Sequence, residues 1–199
     1  MLPYAYASSS TARDWENGWY VPAQRLDSPN FGERPMGACI DLVVVHSISL
    51  PPGRYGGGEI QALFTNQLDW DAHPYFQSIR GTQVSAHFLI ARNGVLWQFV
   101  SCDHRAWHAG LSSFGGRDNC NDFSVGIELE GLEGSHFEPT QYATLLKLCQ
   151  ALHLRYPMQF ITSHEHIAPG RKQDPGSGFD WSALDYLKNA SSQSYEFFI

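Results

Sequence analysis

No stretch of this sequence approaches the roughly 20 consecutive apolar residues that a membrane-spanning helix needs. The segment Met1 to Arg13 also lacks the basic start and sustained apolar core of a secretory signal. The expectation is a cytoplasmic protein with no membrane partner. Basic residues are scarce: 13 Lys and Arg against 20 Asp and Glu give a formal net charge of −7. A nucleic-acid partner gripped through its phosphates requires the opposite balance, so none is expected. The cysteines Cys39, Cys102, Cys120 and Cys149 lie far apart with no C-x-x-C spacing. In a chain without an export signal they read as reduced core or bystander thiols. No internal repeat or low-complexity linker divides the sequence, and nothing in it demands an obligate protein partner. A single domain over 1–199 is therefore expected, with 1–38 wrapping it as irregular chain and 190–199 as a loose tail.

What is present is a globular composition, 43% hydrophobic with 12 Phe, 9 Tyr and 6 Trp. The β-branched run Ile40 to Val45 ends at His46 and reads as a buried central strand that delivers a polar residue at its C-terminal end. A Pro- and Gly-rich loop follows, then a short helix over Glu59 to Gln67. Val84 to Val100 reads as a β-hairpin turning at Arg92-Asn93-Gly94, with His87 opposite the apolar positions. The connection over about 101–122 is long for structureless chain and is a candidate binding loop. In Phe123 to Glu130 the apolar residues alternate with Glu128 and Glu130, which share a face. Pro139 and the apolar spacing Tyr142, Leu145, Leu146, Cys149, Leu152 predict a packing helix to about Tyr156. Phe160 to Ser163 predicts a short strand delivering His164, and a final helix is expected near Trp181 to Lys188. Strands and helices in this irregular order give an α/β domain, a central mixed β-sheet flanked by α-helices.

Polar groups thus gather at three strand ends: His46, the pair Glu128 and Glu130, and His164, Glu165, His166 leading to Lys172 and Asp174. Strand ends are where an α/β sheet usually builds its site. A catalytic zinc wants three protein ligands from His, Asp, Glu or Cys and one open position. His46, His164 and Asp174 could meet that demand, although such scattered spacing also suits hydrogen-bonded structural histidines. Glu128 could equally be an ordinary solvent-side carboxylate, with Glu130 about 7 Å further along the same face as its internal control. Lys172 could be a surface charge. Trp107 and His108 suit either an aromatic cluster or a sugar ring and its hydroxyls.

The runs Val43-Val44-Val45-His46, Val84-Ser85-Ala86-His87-Phe88, Arg105-Ala106-Trp107-His108-Ala109-Gly110, Cys120 to Gly131, and Ile167 to Gly176 occur in the order of the motifs of one family. Over about residues 19 to 185 the sequence resembles the AmpD-type 1,6-anhydro-N-acetylmuramyl-L-alanine amidases. These belong to the type 2 amidase and peptidoglycan-recognition-protein superfamily. The resemblance implies a mixed sheet flanked by helices, zinc on His46, His164 and Asp174, Glu128 as proton carrier and Lys172 as oxyanion partner. It implies hydrolysis of anhydro-muropeptides in the cytoplasm for peptidoglycan recycling, which in some bacteria also restrains β-lactamase induction. Trp107 and His108 become candidate sugar contacts, and Arg117 and Arg171 candidate holders of the peptide's carboxylates. Several positions depart from the family's usual residues: Ser47, Glu165, Gly170, Asn119, and His166, which in an extended chain would share a face with His164 and rival it as a ligand. The rival functions are a non-catalytic peptidoglycan-binding module and a broad-range amidase acting on polymeric wall.

Overall fold

A computed structural model describes residues 14–188 and 195–198. Expectations for 1–13 and for 189–194 and 199 lie outside the described residues. Seven strands form one sheet: β1 Gln24–Arg25, β2 Leu42–Ile48, β3 Phe88–Ile90, β4 Leu96–Gln98, β5 Ser124–Glu130, β6 Phe160–Ser163 and β7 Glu196–Phe198. Their spatial order is β7-β6-β2-β5-β3-β4-β1. Every neighbouring pair is parallel except β3 with β4, the hairpin that turns at Arg92-Asn93-Gly94. Gly94 takes a φ of 83° there, left-handed backbone that glycine adopts without a Cβ penalty. The hairpin is shorter than the sequence predicts, because Ser85 and His87 donate their amides to Trp107 O and Gly126 O and not to the hairpin partner.

Burial on both faces explains the uninterrupted apolar run of β2. Val43 and Val45 join Val125, Ile127 and Leu129 of β5 on one face. Over them lies the helix Pro139–Arg155, which buries Leu145, Leu148, Cys149 and Leu152. Glu138 and Gln141 close a capping box at its start. The Gln141 side-chain amide also donates to Ile90 O and Glu130 O, each at 3.0 Å, which ties the helix to the sheet. The opposite face carries Leu42, Val44 and the site residues. It is covered by the chain from Ala109 to Phe123, the short helices Glu59–Phe64 and Pro74–Ser78, and Ile167.

Two terminal expectations change. Within 14–38 the chain wraps the domain, but Gln24–Arg25 extends the sheet, Trp15–Glu16 pairs with Trp19–Tyr20, and Phe31–Gly32 pairs with Arg105–Ala106. The described end of the chain is no loose tail: Glu196–Phe198 runs parallel to β6 and covers its outer edge. Tyr195, 3% exposed, donates its hydroxyl to Cys149 O at 2.7 Å. The final helix expected near Trp181 to Lys188 is present as a 3-10 helix. Among the described residues no helix is long and apolar enough to cross a membrane. The four cysteines are unpaired, and all but Cys39 are buried.

Candidate active site

Parallel pairing brings the three polar strand ends to one edge. Glu128 of β5 stands opposite His46 of β2, and Ser163 of β6 stands opposite Val45, so that His164 follows at the level of His46. Ser163 turns the chain out of the sheet by capping a one-turn helix, His164–Ile167, its hydroxyl accepting from the His166 amide at 3.1 Å. Asp174 arrives from the following loop, anchored where its backbone carbonyl accepts from the Glu165 amide at 3.0 Å. His46 Nδ1 then lies 2.9 Å from His164 Nδ1 and 3.2 Å from Asp174 Oδ2, and His164 Nδ1 lies 3.0 Å from that same oxygen. All three residues are buried and form a group able to hold a metal ion.

The hydrogen bonds behind the two imidazoles fix where their protons sit. The Ser124 hydroxyl donates to Cys120 O at 2.5 Å, so its oxygen accepts from His108 Nε2 at 3.2 Å. His108 Nδ1 is then left to accept from His46 Nε2 at 2.9 Å. Burial first, and the neighbouring His46 second, keep His108 neutral by pushing its pKa well below the ordinary value. On the other ligand, Ala109 O can only accept, so His164 Nε2 donates to it at 3.3 Å. Both Nδ1 atoms consequently turn unprotonated lone pairs, together with the Asp174 carboxylate, towards one shared point. Burial and the proximity of His164 push His46 down to about 4, so a second proton on that ring is disfavoured at neutral pH and Nδ1 stays bare. Three lone-pair donors about 3 Å apart, two imidazoles and one carboxylate, suit a small divalent cation.

Beside this group, Glu128 Oε2 is buried without a hydrogen-bond partner. Burial, and then the charge of Asp174, raise its pKa well above the ordinary carboxyl value. A buried carboxyl with a raised pKa is suited to taking up a proton and passing it to a bound group.

The profile of the N-acetylmuramoyl-L-alanine amidase family matches residues 36–177, a span that contains all of these side chains. The chain belongs to the N-acetylmuramoyl-L-alanine amidase family. It is 49% identical over 179 residues to the 1,6-anhydro-N-acetylmuramyl-L-alanine amidase AmpD of Citrobacter freundii, covering 89% of this chain and 96% of that one. A crystal structure of a selenomethionine AmpD derivative superposes with a TM-score of 0.83 at 48% identity, covering 86% of this chain and 97% of that one. The amidase AmiD of E. coli superposes with a TM-score of 0.55 at 28% identity, covering 79% of this chain and 65% of that one. AmiD was solved in complex with the substrate anhydro-N-acetylmuramic acid-L-Ala-D-gamma-Glu-L-Lys.

In the amidase, a cleft of about 540 Å³ opens on Glu128, His164 and Asp174. Lys172, Arg171, Gln173 and Glu133 line one part of it, and Trp107, Tyr75, Ile79, Leu50 and Val84 another. Arg171 directs its guanidinium to the carbonyls of Ala109 and Leu111, 2.6 Å from each, and among the described residues it makes no ion pair. His108 reaches the cleft wall, yet both ring nitrogens are spent on His46 and Ser124, which makes it a support for His46 before it is a sugar contact.

Other expectations fail on geometry. Arg117 does not line this cleft. It pairs with Asp41 through two 3.0 Å hydrogen bonds, lies over the Phe123 ring, and borders a separate hollow with Phe114, Phe160 and Phe198. His166 is no rival ligand, because the chain coils at His164 and turns the His166 ring towards Phe114 and Phe198. Glu130 is engaged by the amides of Gly56, at 2.5 Å, and Arg92, at 3.1 Å, so it fastens the Pro- and Gly-rich loop to the hairpin. Sequence reading missed Arg34, placed in the wrapping segment. Its guanidinium donates to the carbonyls of Cys102, Asn121, Asp122 and Ser124 and pins the loop that carries His108.

Proposed function

We propose that the amidase hydrolyses the amide bond between 1,6-anhydro-N-acetylmuramic acid and L-alanine in muropeptides, in the cytoplasm and in the service of peptidoglycan recycling, with zinc held by His46, His164 and Asp174. The observation that carries this reading is the buried meeting of two Nδ1 lone pairs and a carboxylate beside the unpartnered carboxyl of Glu128. A donor set of two imidazoles and one carboxylate, without thiolate, suits a catalytic zinc that keeps an open position. When bound, such an ion supplies Lewis acidity and makes water acidic enough to act as a nucleophile at neutral pH.

The remaining steps belong to the chain's own groups. Glu128 accepts a proton from the attacking water and returns it to the nitrogen of L-alanine as the C–N bond breaks, so that a neutral amine leaves. Lys172, lining the cleft next to Asp174, stabilises the oxyanion that develops on the carbonyl. Trp107 and the apolar residues near it supply a wall for the sugar. Arg171, whose charge has only carbonyl partners among the described residues, suits a carboxylate of the peptide.

The test is turnover of an anhydro-muropeptide before and after chelation. Activity is expected to disappear with chelator and to return with zinc. Full activity in metal-free protein would overturn the zinc mechanism, and binding without turnover in the zinc-loaded protein would make the chain a binding module. Digestion of intact peptidoglycan as fast as the anhydro fragment would assign it to polymeric wall.

A further inference from the structure

The two imidazoles of the metal group lean on consecutive residues. His46 Nε2 donates to the ring of His108, and His164 Nε2 donates to the backbone carbonyl of Ala109. The placement of one dipeptide therefore decides the proton position on both ligands. That dipeptide lies in a connection with little regular structure, so something must hold it. Arg171 donates to Ala109 O at 2.6 Å, but both backbone amides are held by a single atom: Asn121 Oδ1 accepts from the His108 amide at 3.0 Å and from the Ala109 amide at 2.9 Å. Asn121 is buried in the one-turn 3-10 helix Cys120–Asp122 at the foot of β5, where Arg34 in turn binds its carbonyl at 3.1 Å.

We infer that Asn121 is the positioning residue of the metal centre. By holding the His108 and Ala109 amides it presents one acceptor to each imidazole, favours the tautomer with the proton on Nε2 in both, and leaves both Nδ1 lone pairs directed at one point. It touches neither ligand. The chemical requirement is an acceptor with two lone pairs between two adjacent amides, which an amide or carboxylate oxygen meets and an alkyl side chain does not. Loss of the acceptor leaves two buried N–H groups unsatisfied and frees the dipeptide to shift. Partners that orient metal-binding histidines typically change metal affinity by roughly 10- to 100-fold when removed.

This inference rests on the metal-binding reading above, and its test separates the two. Zinc dissociation constants and imidazole ¹⁵N shifts of the metal-free protein are measured for the parent, Asn121→Ala and Asn121→Asp. The parent is expected to show His46 and His164 protonated at Nε2. Asn121→Ala should show mixed tautomers at both rings and bind zinc roughly 10- to 100-fold more weakly. Asn121→Asp, which keeps the acceptor, should return both readouts to within about threefold of the parent. Parent-like tautomers and affinity in Asn121→Ala would overturn the inference, as would an Asn121→Asp protein as impaired as Asn121→Ala. If Asn121→Ala does not fold, His108→Phe tests the same linkage. It should scramble the tautomer at His46 alone and weaken zinc, and an unchanged His46 would refute the linkage. A parent that shows the expected tautomers but binds no zinc would refute the metal reading and leave the clamp standing.

Discussion

Glu128 and Glu130 carry the same functional group on the same face of β5, yet their surroundings give them different work. Glu130 has both carboxylate oxygens satisfied by the amides of Gly56 and Arg92. Glu128 has a buried oxygen with none. Glu128→Gln is expected to lower kcat by about 10²–10⁴-fold with zinc still bound. Glu130→Gln should keep most activity and lose about 1–2 kcal/mol of stability to chemical denaturation. The reverse pattern would move the proton carrier to Glu130. Burial, followed by the Asp174 charge, raises Glu128 above its ordinary value of 4.5. Between that value and the raised one, the folded protein keeps a proton that the unfolded chain releases, so stability falls as pH rises through this window. In metal-free protein, Glu128→Gln should therefore melt higher than the parent by a margin that widens from pH 5 to pH 8. A margin that stays constant with pH would show that Glu128 ionises normally.

At the scale of an element, the site depends on β5 having one position without a side chain. The ring of His108 lies against Gly126, where an added Cβ would come within 2.4 Å of the ring. Gly126 sits two residues before Glu128, on the face that carries the chemistry. The glycine therefore makes room for the histidine that supports His46. Gly126→Ala is expected to cost about 1–3 kcal/mol of folding stability through overpacking and to weaken zinc binding with it. A urea melt and a zinc titration measure the two effects. Parent-like zinc affinity in a folded Gly126→Ala protein would show that His108 can move without disturbing His46. The one-turn helix at His164 is the second such device, since coiling there separates His164 from His166 where an extended chain would have aligned them.

Across the whole molecule, one face of the sheet holds the domain together and the other holds the chemistry. The helix Pro139–Arg155, the 3-10 segment and Tyr195 cover the first. Tyr195→Ala is expected to cost about 3 kcal/mol, by analogy with large aromatic truncations. At 25 °C the folded protein should still bind zinc within about threefold of the parent. A thermal melt with a zinc titration checks this, and a parallel collapse of zinc affinity would mean that the two faces are coupled more tightly than the layering implies.

The elements legible from residues alone were those with strong local patterns. The apolar run ending at His46, the alternation through Glu128, and the helical spacing after Pro139 each state their burial in sequence order. Motif order added the metal group and the amidase family. Position within a single segment could not reveal which of two equivalent carboxylates has an unsatisfied oxygen, where Arg117 finds its counter-charge, or that Glu196–Phe198 pairs with β6. These depend on partners up to 76 residues apart for Arg117 and Asp41. The reading of His166 failed for a local reason, the Ser163 cap that coils the chain. By itself the sequence determined the central strands, the long helix and the types of group at the strand ends. Only the tertiary structure decided which lone pairs meet, because hydrogen-bond direction and desolvation are properties of the neighbours that folding supplies.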